Sequence, residues 1–182
     1  MSDRSDTPTS VIRLSEYRPP AWSVEHVDLA FDLGIDRTEV AATLEMVRQA
    51  DEPVRLDGEG LELLELSVNG RRLGEGEYIL ANGVLEVAVE GDRCTIATRV
   101  AIRPAENTAL EGLYLSGSRD NGFLLTQCEA EGFRHITFFP DRPDVLSRYT
   151  VTLRADRQRF PVLLAGGNPD GAGELDGGRH WA

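Results

Sequence analysis

Hydrophobic and polar residues alternate along most of this chain. In the stretch VEHVDLAFDL, residues 24–33, one side of an extended strand would carry apolar side chains and the other side polar ones. The apolar set is Val27, Leu29, Phe31 and Leu33, and the polar set is His26, Asp28 and Asp32. Such alternation is typical of a strand with one face in the core and the other in solvent. We therefore expect a half-buried strand here.

Three further stretches indicate strands. RCTIATRVAIRP and RYTVTLRA alternate in the same way, and their apolar positions are Ile96, Val100, Ile102, Tyr149, Val151 and Leu153. TEVAATLEMVRQ, residues 38–49, could also be an amphipathic helix. Because it follows a strand closely and lacks a helix stop signal, we interpret it as the second strand.

Turn signals separate these strands. Asn69-Gly70, Asn82-Gly83 and Asn121-Gly122 each lie between β-prone runs, and Asn-Gly supplies the positive φ angles that tight hairpins need. RPDVLSR, residues 142–148, could form one short helical turn, with Pro143 at its first position. The predicted fold class is all-β, an antiparallel β-sandwich or twisted open sheet with short helical turns.

Composition limits the partners. The 182 residues fit one medium domain, and the formal net charge of −12 argues against a nucleic-acid partner, which needs a cationic surface. No apolar run reaches the roughly 20 residues of a membrane helix, so no membrane partner is expected.

Cys94 and Cys128 fall in separate predicted strands without CxxC spacing, and no apolar signal segment opens the chain. These features predict a reduced, cytoplasmic setting. Residues 1–15 are expected to form a mobile leader.

No complete catalytic motif occurs in the sequence. The HExxH motif of zinc proteases, the GxSxG motif of serine hydrolases, the Walker loop and GxGxxG are all absent. His26, His135 and His180 are isolated from one another in sequence. Each is therefore expected to be a surface or core histidine and not a metal ligand.

The segment TQCEAEGF, residues 126–133, concentrates acidic groups around a cysteine. If the segment is extended, Gln127, Glu129 and Glu131 share one face, while Cys128 and Ala130 share the other. Three interpretations remain open from the residues alone. The acidic face could bind a cation, it could be an acid and base pair at the roughly 5 to 9 Å spacing of glycoside hydrolases, or it could be the solvated side of a strand.

The segment and its surroundings resemble a known family. Five stretches carry the resemblance: TQCEAEGFRHITFFPDRPDVLSRYTVTLRAD, YRPPAWSVEHVDLAFDL, NTALEGLYLSG, LLAGGN and GELDGGRHW. They are similar to the N-terminal domain of bacterial aminopeptidase N, the zinc-dependent alanyl aminopeptidase of the gluzincin family. The resemblance covers residues 16–182 and is weakest between about residues 50 and 95.

The resemblance implies that residues 16–182 are the N-terminal β-domain of a larger aminopeptidase. In this family a catalytic domain carries GAMEN and HExxH, and neither motif occurs in these residues. Zinc would then be bound by that absent catalytic domain, and this fragment alone would be inactive. The implied partners are a peptide substrate with a free N-terminus and the missing catalytic domain of the same chain.

The resemblance also implies roles for individual residues. Gln127 and Glu129 would bind substrate, with Glu129 accepting the α-ammonium group and Gln127 lining the first side-chain pocket. Glu131 is expected only to cap a turn or to make a surface contact. One structural network bracing the binding loop is expected from a nearby polar run, namely Arg134, His135, Asp141, Arg142 and Asp144.

A second hypothesis is a stand-alone β-sandwich interaction module without peptidase activity. The ending GELDGGRHWA bears on the choice, because it predicts a strand, a glycine turn and a returning strand that stops before its partner is complete. That ending suggests a piece of a longer protein.

Overall fold

The computed structural model describes residues 13–182. Most of the regular structure in that range is strand. The strands are β1 (Trp22–Asp32), β2 (Thr38–Arg48), β3 (Val54–Asp57), β4 (Glu62–Val68), β5 (Arg71–Arg72), β6 (Ile79–Ala81), β7 (Val84–Val87), β8 (Arg93–Ile102), β9 (Gly112–Ser116), β10 (Phe123–Gln127), β11 (Arg148–Asp156), β12 (Gly173–Leu175) and β13 (Arg179–Trp181). The second predicted strand is confirmed as β2.

The long strands follow the hydrophobic alternation. In β1, the side chains of Val27, Leu29 and Phe31 are buried, whereas Asp28 and Asp32 are exposed. In β8, Ile96 and Val100 have no solvent-accessible surface. Since one face of each strand removes its apolar side chains from water, burial on that face is the main force that holds the strands in place.

One large mixed sheet forms the first layer. Its strand order is β12-β13-β11-β1-β2-β8-β4-β5. Neighbours are antiparallel except that β1 and β11 run parallel, with Leu29 opposite Val151. The predicted antiparallel arrangement holds for the other pairs of this sheet, and the pairing of β1 with β11 is the exception. Before β11 the chain crosses the second layer through β9, β10 and residues 128–147, and a crossover of such length allows a strand to enter in the parallel direction.

The second layer closes the sandwich. It consists of the three-stranded sheet β3-β7-β6, the β9-β10 hairpin and the segment that follows the hairpin. A single core lies between the layers and includes Val27, Leu44, Ile96, Leu56, Leu85, Leu113 and Phe138. An isolated bridge between Asp57 and Phe139 joins the three-stranded sheet to the segment after β10. The predicted all-β sandwich is therefore confirmed.

Two of the three Asn-Gly turns have the predicted geometry. Asn69 and Asn82 have φ angles of 51° and 52°, and they close the β4-β5 and β6-β7 hairpins. Asn121-Gly122 lies in the β9-β10 connection but lacks positive φ. There the left-handed residue is Gly117, at φ 92°, and the turn is closed by a 2.6 Å hydrogen bond from the Gly122 amide to the Ser118 carbonyl oxygen.

Helical structure in residues 13–182 consists of the 3-10 turns Leu14–Glu16, Pro104–Glu106, Phe133–His135 and Asp176–Gly178. None of them is long and apolar enough to cross a membrane. The segment RPDVLSR forms no helix and makes one turn, with the Val145 amide donating to the Arg142 carbonyl oxygen at 3.2 Å. The predicted leader, residues 1–15, lies outside the described residues except for its last three.

The end of the sequence forms the predicted hairpin. β12 and β13 pair antiparallel, with Glu174 opposite His180. β13 also pairs with β11, where Ala155 lies opposite His180. The returning strand is therefore paired on both sides, and its pairing with β11 continues to Ala182, whose amide donates to the Leu153 carbonyl oxygen at 3.0 Å.

Candidate functional site

The TQCEAEGF segment lies where β10 ends. β10 pairs with β9, and Gln127 is its last residue, opposite Gly112. Beyond Gln127 the chain turns, and the Gly132 amide donates to the Cys128 carbonyl oxygen at 2.8 Å. The extended conformation therefore ends at Gln127, and the condition under which residues 127–130 would alternate between two faces is not met. The glycine allows the turn, because a Cβ at residue 132 would stand 2.5 Å from the Gln127 carbonyl oxygen.

The turn places Gln127 and Glu129 next to each other on the surface. Both side chains are exposed, and the Gln127 side-chain amide donates to the Glu129 carbonyl oxygen at 3.4 Å. The peptide bond between Glu129 and Ala130 is cis. Within residues 13–182, no cationic side chain forms an ion pair with the Glu129 carboxylate. Glu129 is thus an exposed anion beside an exposed amide.

Glu131 has a different environment. Its carboxylate lies 3.5 Å from Arg134 Nη2, and its side chain is 68% exposed. An exposed pair of this kind contributes little to stability. Glu131 therefore makes the surface contact that the sequence predicted. The two glutamates of the segment are not an equivalent pair.

Arg134 fixes the end of the turn to the second layer. Its backbone amide and its Nε both donate to Asp141 Oδ2, at 3.0 and 3.2 Å, and its Nη2 donates to the Asp141 carbonyl oxygen at 3.2 Å. The Asp141 amide in turn donates to Asp57 Oδ2 at 3.2 Å. These bonds connect the segment after β10 to the end of β3.

His135 contacts two acidic side chains. Its Nε2 lies 3.5 Å from Glu59 Oε2, in the β3-β4 connection, and 3.3 Å from Glu111 Oε2, just before β9. Sequence reasoning missed Glu59 and Glu111, which are distant from His135 along the chain. For Glu111 a signal was present, because it belongs to NTALEGLYLSG, one of the stretches that carry the family resemblance.

Arg142 and Asp144 form a separate cluster. Arg142 donates two hydrogen bonds to the Asp144 carboxylate, at 2.9 and 2.6 Å, and a third to the Arg18 carbonyl oxygen at 2.8 Å. The Tyr17 hydroxyl also donates to Asp144, at 2.9 Å. The hydrogen bonds from Arg142 lower the pKa of Asp144 to about 2. The single predicted network is therefore two clusters, and the second joins residues 17–18 to the segment before β11.

The cysteines differ in placement. Cys94 lies in β8, and burial raises the pKa of its thiol to about 11. Cys128 follows β10 directly and is not in a strand, contrary to the prediction. It packs against the core, and burial, together with the charge of Asp141, raises its pKa. Both are free thiols, and neither is positioned as an activated nucleophile, since a nucleophilic cysteine needs a lowered pKa.

Comparison with known proteins gives this arrangement a family context. The profile of the Peptidase M1 N-terminal domain matches residues 26–182. The chain belongs to this family. As a Peptidase M1 N-terminal domain, it contains the candidate site within the matched range.

The relatives of this M1 N-terminal domain are aminopeptidases. Aminopeptidase N of Caulobacter vibrioides is 49% identical over 181 residues, which is 98% of this chain and 20% of that protein. Aminopeptidase N of Escherichia coli is 44% identical over 168 residues, which is 91% of this chain and 19% of that protein. The chain thus spans about a fifth of the length of these curated relatives.

Solved structures show the same fold. The crystal structure of Legionella pneumophila aminopeptidase A in complex with aspartic acid matches with a TM-score of 0.83 and 33% identity, over 93% of this chain and 20% of that chain. A mutant M1 zinc metallopeptidase from Deinococcus radiodurans, bound to a Tyr-Ser-Ala substrate, matches with a TM-score of 0.67 over 88% of this chain and 38% of that chain. At 18% identity the second match supports the fold alone.

Zinc does not fit the described residues of this M1 domain. In residues 13–182, no group of three or more His, Cys, Asp and Glu side chains is arranged to hold a metal ion. Two of the histidine rings have other neighbours. His26 Nε2 lies 3.3 Å from the Thr150 hydroxyl, and His180 Nε2 lies 2.7 Å from the Phe160 carbonyl oxygen.

Proposed function

We propose that this chain is the N-terminal domain of a zinc metalloaminopeptidase and that it forms one wall of the active site, where Gln127 and Glu129 bind the end of a peptide. The observation that carries the proposal is the exposed Glu129 carboxylate, which has no cationic partner among residues 13–182 and lies in a domain of the Peptidase M1 family. The neighbouring Glu131, by contrast, already contacts Arg134.

The proposed ligand is an α-ammonium group. Every peptide with a free N-terminus carries one, and a carboxylate offers it charge-assisted hydrogen bonds, which are about twice as strong as neutral ones. In the partly dry site formed by two domains, the attraction would be greater than in water. The structure of the 33% identical Legionella pneumophila aminopeptidase A in complex with aspartic acid supports this ligand class.

The same geometry would select peptide ends over internal peptide bonds. A chain that continued past the ammonium position would meet the wall formed by the turn and would leave Glu129 unpaired. The Gln127 amide nitrogen is engaged with the Glu129 carbonyl oxygen at 3.4 Å. The remaining oxygen of Gln127 would face the first side-chain pocket, where it can accept a hydrogen bond.

A catalytic domain of the same polypeptide would complete the site. Phe123, Leu125 and Gln127 occupy alternate positions of β10, and all three are exposed. An apolar face that leads to a binding residue is suited to burial against another domain. Zinc would be bound by that catalytic domain. The two free cysteines of this chain favour a reducing, cytoplasmic setting for the whole enzyme.

The decisive test is Glu129→Gln in the full-length parent enzyme, assayed with L-alanine 4-nitroanilide. Loss of one charged hydrogen bond costs about 2 kcal/mol, or roughly thirtyfold in binding. We expect KM to rise and kcat/KM to fall by that order. Glu131→Gln is the matched control and is expected to match the wild type. Wild-type kinetics for Glu129→Gln would refute the assignment.

The coding sequence beyond residue 182 separates the peptidase from the interaction module. GAMEN and HExxH followed by a glutamate, within the next few hundred residues of the gene, would support the peptidase. A gene that stopped at residue 182 would support the stand-alone module. The assay of the whole protein and of this chain alone, with zinc measured in both, gives a second test. We expect activity and stoichiometric zinc only in the whole protein.

A further inference from the structure

His135 occupies a position between two other segments of the second layer. Its Nε2 is 3.3 Å from Glu111 and 3.5 Å from Glu59, and its side chain is only 22% exposed. The ring is therefore mostly covered, and its polar nitrogen faces two carboxylates. In this position the ring links the β3-β4 connection to the segment before β9.

The same residue is joined directly to the turn that carries Glu129. The His135 amide donates to the Gly132 carbonyl oxygen at 3.2 Å, and Gly132 is the last residue of the turn. Gly112 approaches from the other side, since a Cβ there would stand 2.6 Å from the Cβ of His135. Gly112 is also the strand partner of Gln127. A shift of His135 would therefore be transmitted to both ends of the turn.

The strength of this link depends on the charge of the ring. A neutral imidazole that carries its proton on Nε2 can donate to only one carboxylate at a time, whereas a protonated imidazole attracts both. Histidine is the side chain whose charge changes within about pH 5 to 8. The link between the three segments is thus stronger when His135 is protonated.

The other charges around the ring do not replace it. Arg134, on the same 3-10 turn, is bonded to Asp141 and lies near Glu131 and Asp57. Its Nη1 reaches Glu59 only at 4.0 Å. Among residues 13–182, the Glu111 carboxylate has no other cationic neighbour within 4.0 Å. Protonated His135 is therefore the cation that can hold Glu111 against the turn.

We propose that His135 is a proton-dependent positioning residue. Through Glu59 and Glu111 it holds the turn between Gln127 and Gly132, which carries Glu129, in its binding geometry. This inference rests on the proposed role of Glu129 in binding the substrate ammonium group. Protonation also weakens the negative potential around Glu129, which opposes ammonium binding. The two effects change KM in opposite directions, so the sign of the KM change distinguishes them.

The experiment compares three forms of the full-length parent enzyme across about pH 5 to 8.5, with L-alanine 4-nitroanilide as the probe. His135→Arg keeps a positive charge at every pH used, and His135→Gln has none. The ratio of each variant's KM to the wild-type KM is taken at each pH, which cancels the titration of the substrate and of the catalytic groups. His26→Gln, at a histidine beside Thr150 on the large sheet, is the matched control.

We expect wild-type KM to match His135→Arg at the acid end and His135→Gln at the alkaline end. The separation should be roughly two- to fivefold, as for the loss of a partly exposed ion pair. The effect should fall on KM and leave kcat unchanged. Glu111→Gln should remove the same pH-dependent component and serves as a second variant if His135→Arg does not fold. His26→Gln should leave the profile unchanged.

Three outcomes would overturn the inference. The first is a KM ratio that does not change with pH for either His135 variant. The second is a KM of His135→Arg that is higher than those of the wild type and of His135→Gln at every pH. The third is an effect on kcat alone. The proposed function has a separate readout. If Glu129→Gln raises KM while the His135 variants match the wild type, only the inference about His135 fails. If Glu129→Gln is silent, the ammonium site itself fails.

Discussion

Gly132 lies directly against the backbone of Gln127. A methyl group at Gly132 would stand 2.5 Å from the Gln127 carbonyl oxygen and 2.8 Å from the Cys128 Cα. Both obstacles are backbone atoms, which cannot rotate away as a flexible side chain could. The φ angle of Gly132 is −83°, so the requirement for glycine comes from space and not from left-handed backbone.

Gly132→Ala should therefore displace the turn that carries Glu129. Overpacking of this kind typically costs about 1 to 3 kcal/mol of stability. In the full-length enzyme we expect KM for L-alanine 4-nitroanilide to rise about tenfold, since small misplacements of binding groups have large kinetic effects. Gly166→Ala is the control, because a Cβ there meets nothing within 4 Å. Equal KM values for the two variants would show that the turn tolerates the methyl group.

Leu44 in β2 should contribute to the stability of the domain through burial in the hydrophobic core. Its side chain is 1% exposed and lies in the cluster between the two layers. Leu44→Ala should lower the free energy of unfolding by about 3 kcal/mol, through lost burial and the cavity that remains. Urea unfolding of the 182-residue chain measures this change. Leu164→Ala, at a side chain that is 85% exposed, should change it by less than about 0.5 kcal/mol.

The sequence predicted the strands well because alternation reports burial directly. From Val27 to Phe31 in β1 the period-two pattern and the buried set coincide, whereas Trp22 and Val24 are buried in the opposite phase because a register shift lies between Val24 and His26. Alternation carries no information on the partner or the direction of a strand. The parallel pairing of β11 with β1 follows from the path of the chain through the second layer, and no local pattern encodes that path.

The sequence proposed Gln127 and Glu129 as the candidate site but did not predict the shape of the segment that carries them. Charge pattern and family resemblance singled out Gln127 and Glu129, and alternation then suggested a strand through residue 130. The alternation was extended too far, because Gly132 folds the chain back onto Gln127. Glu59 and Glu111 reach His135 from distant segments. Only the packing of the second layer brings them together.

Arg142 should contribute to stability and not to substrate binding. It links Asp144 to the Arg18 carbonyl oxygen and so joins the start of the domain to the segment before β11. Because Arg142 is partly exposed, Arg142→Gln should lower the free energy of unfolding by only about 1 kcal/mol. In the full-length enzyme KM should stay within about twofold of the wild type, which is below 0.5 kcal/mol. A large KM increase with unchanged stability would place Arg142 at the substrate.

The Asp144 carboxylate should make the stability of the domain depend on pH under acid conditions. Hydrogen bonds from Arg142, and then from Tyr17, lower the pKa of Asp144 from its usual 3.8 to about 2. A carboxyl with a lower pKa in the folded state stabilises the fold at pH values above its unfolded pKa. As the pH falls from about 4 to 2, the unfolded chain takes up this proton first, and the contribution is lost.

Asp144→Asn should accordingly be less stable than the wild type at pH 5, and the two should converge as the pH approaches 2. Urea unfolding of the 182-residue chain at several pH values between these limits measures the difference. Asp170→Asn, at an exposed carboxyl without an arginine partner among residues 13–182, is the control. Its difference from the wild type should be small at every pH. A constant difference for Asp144→Asn would mean that its ion pair with Arg142 does not couple folding to protonation.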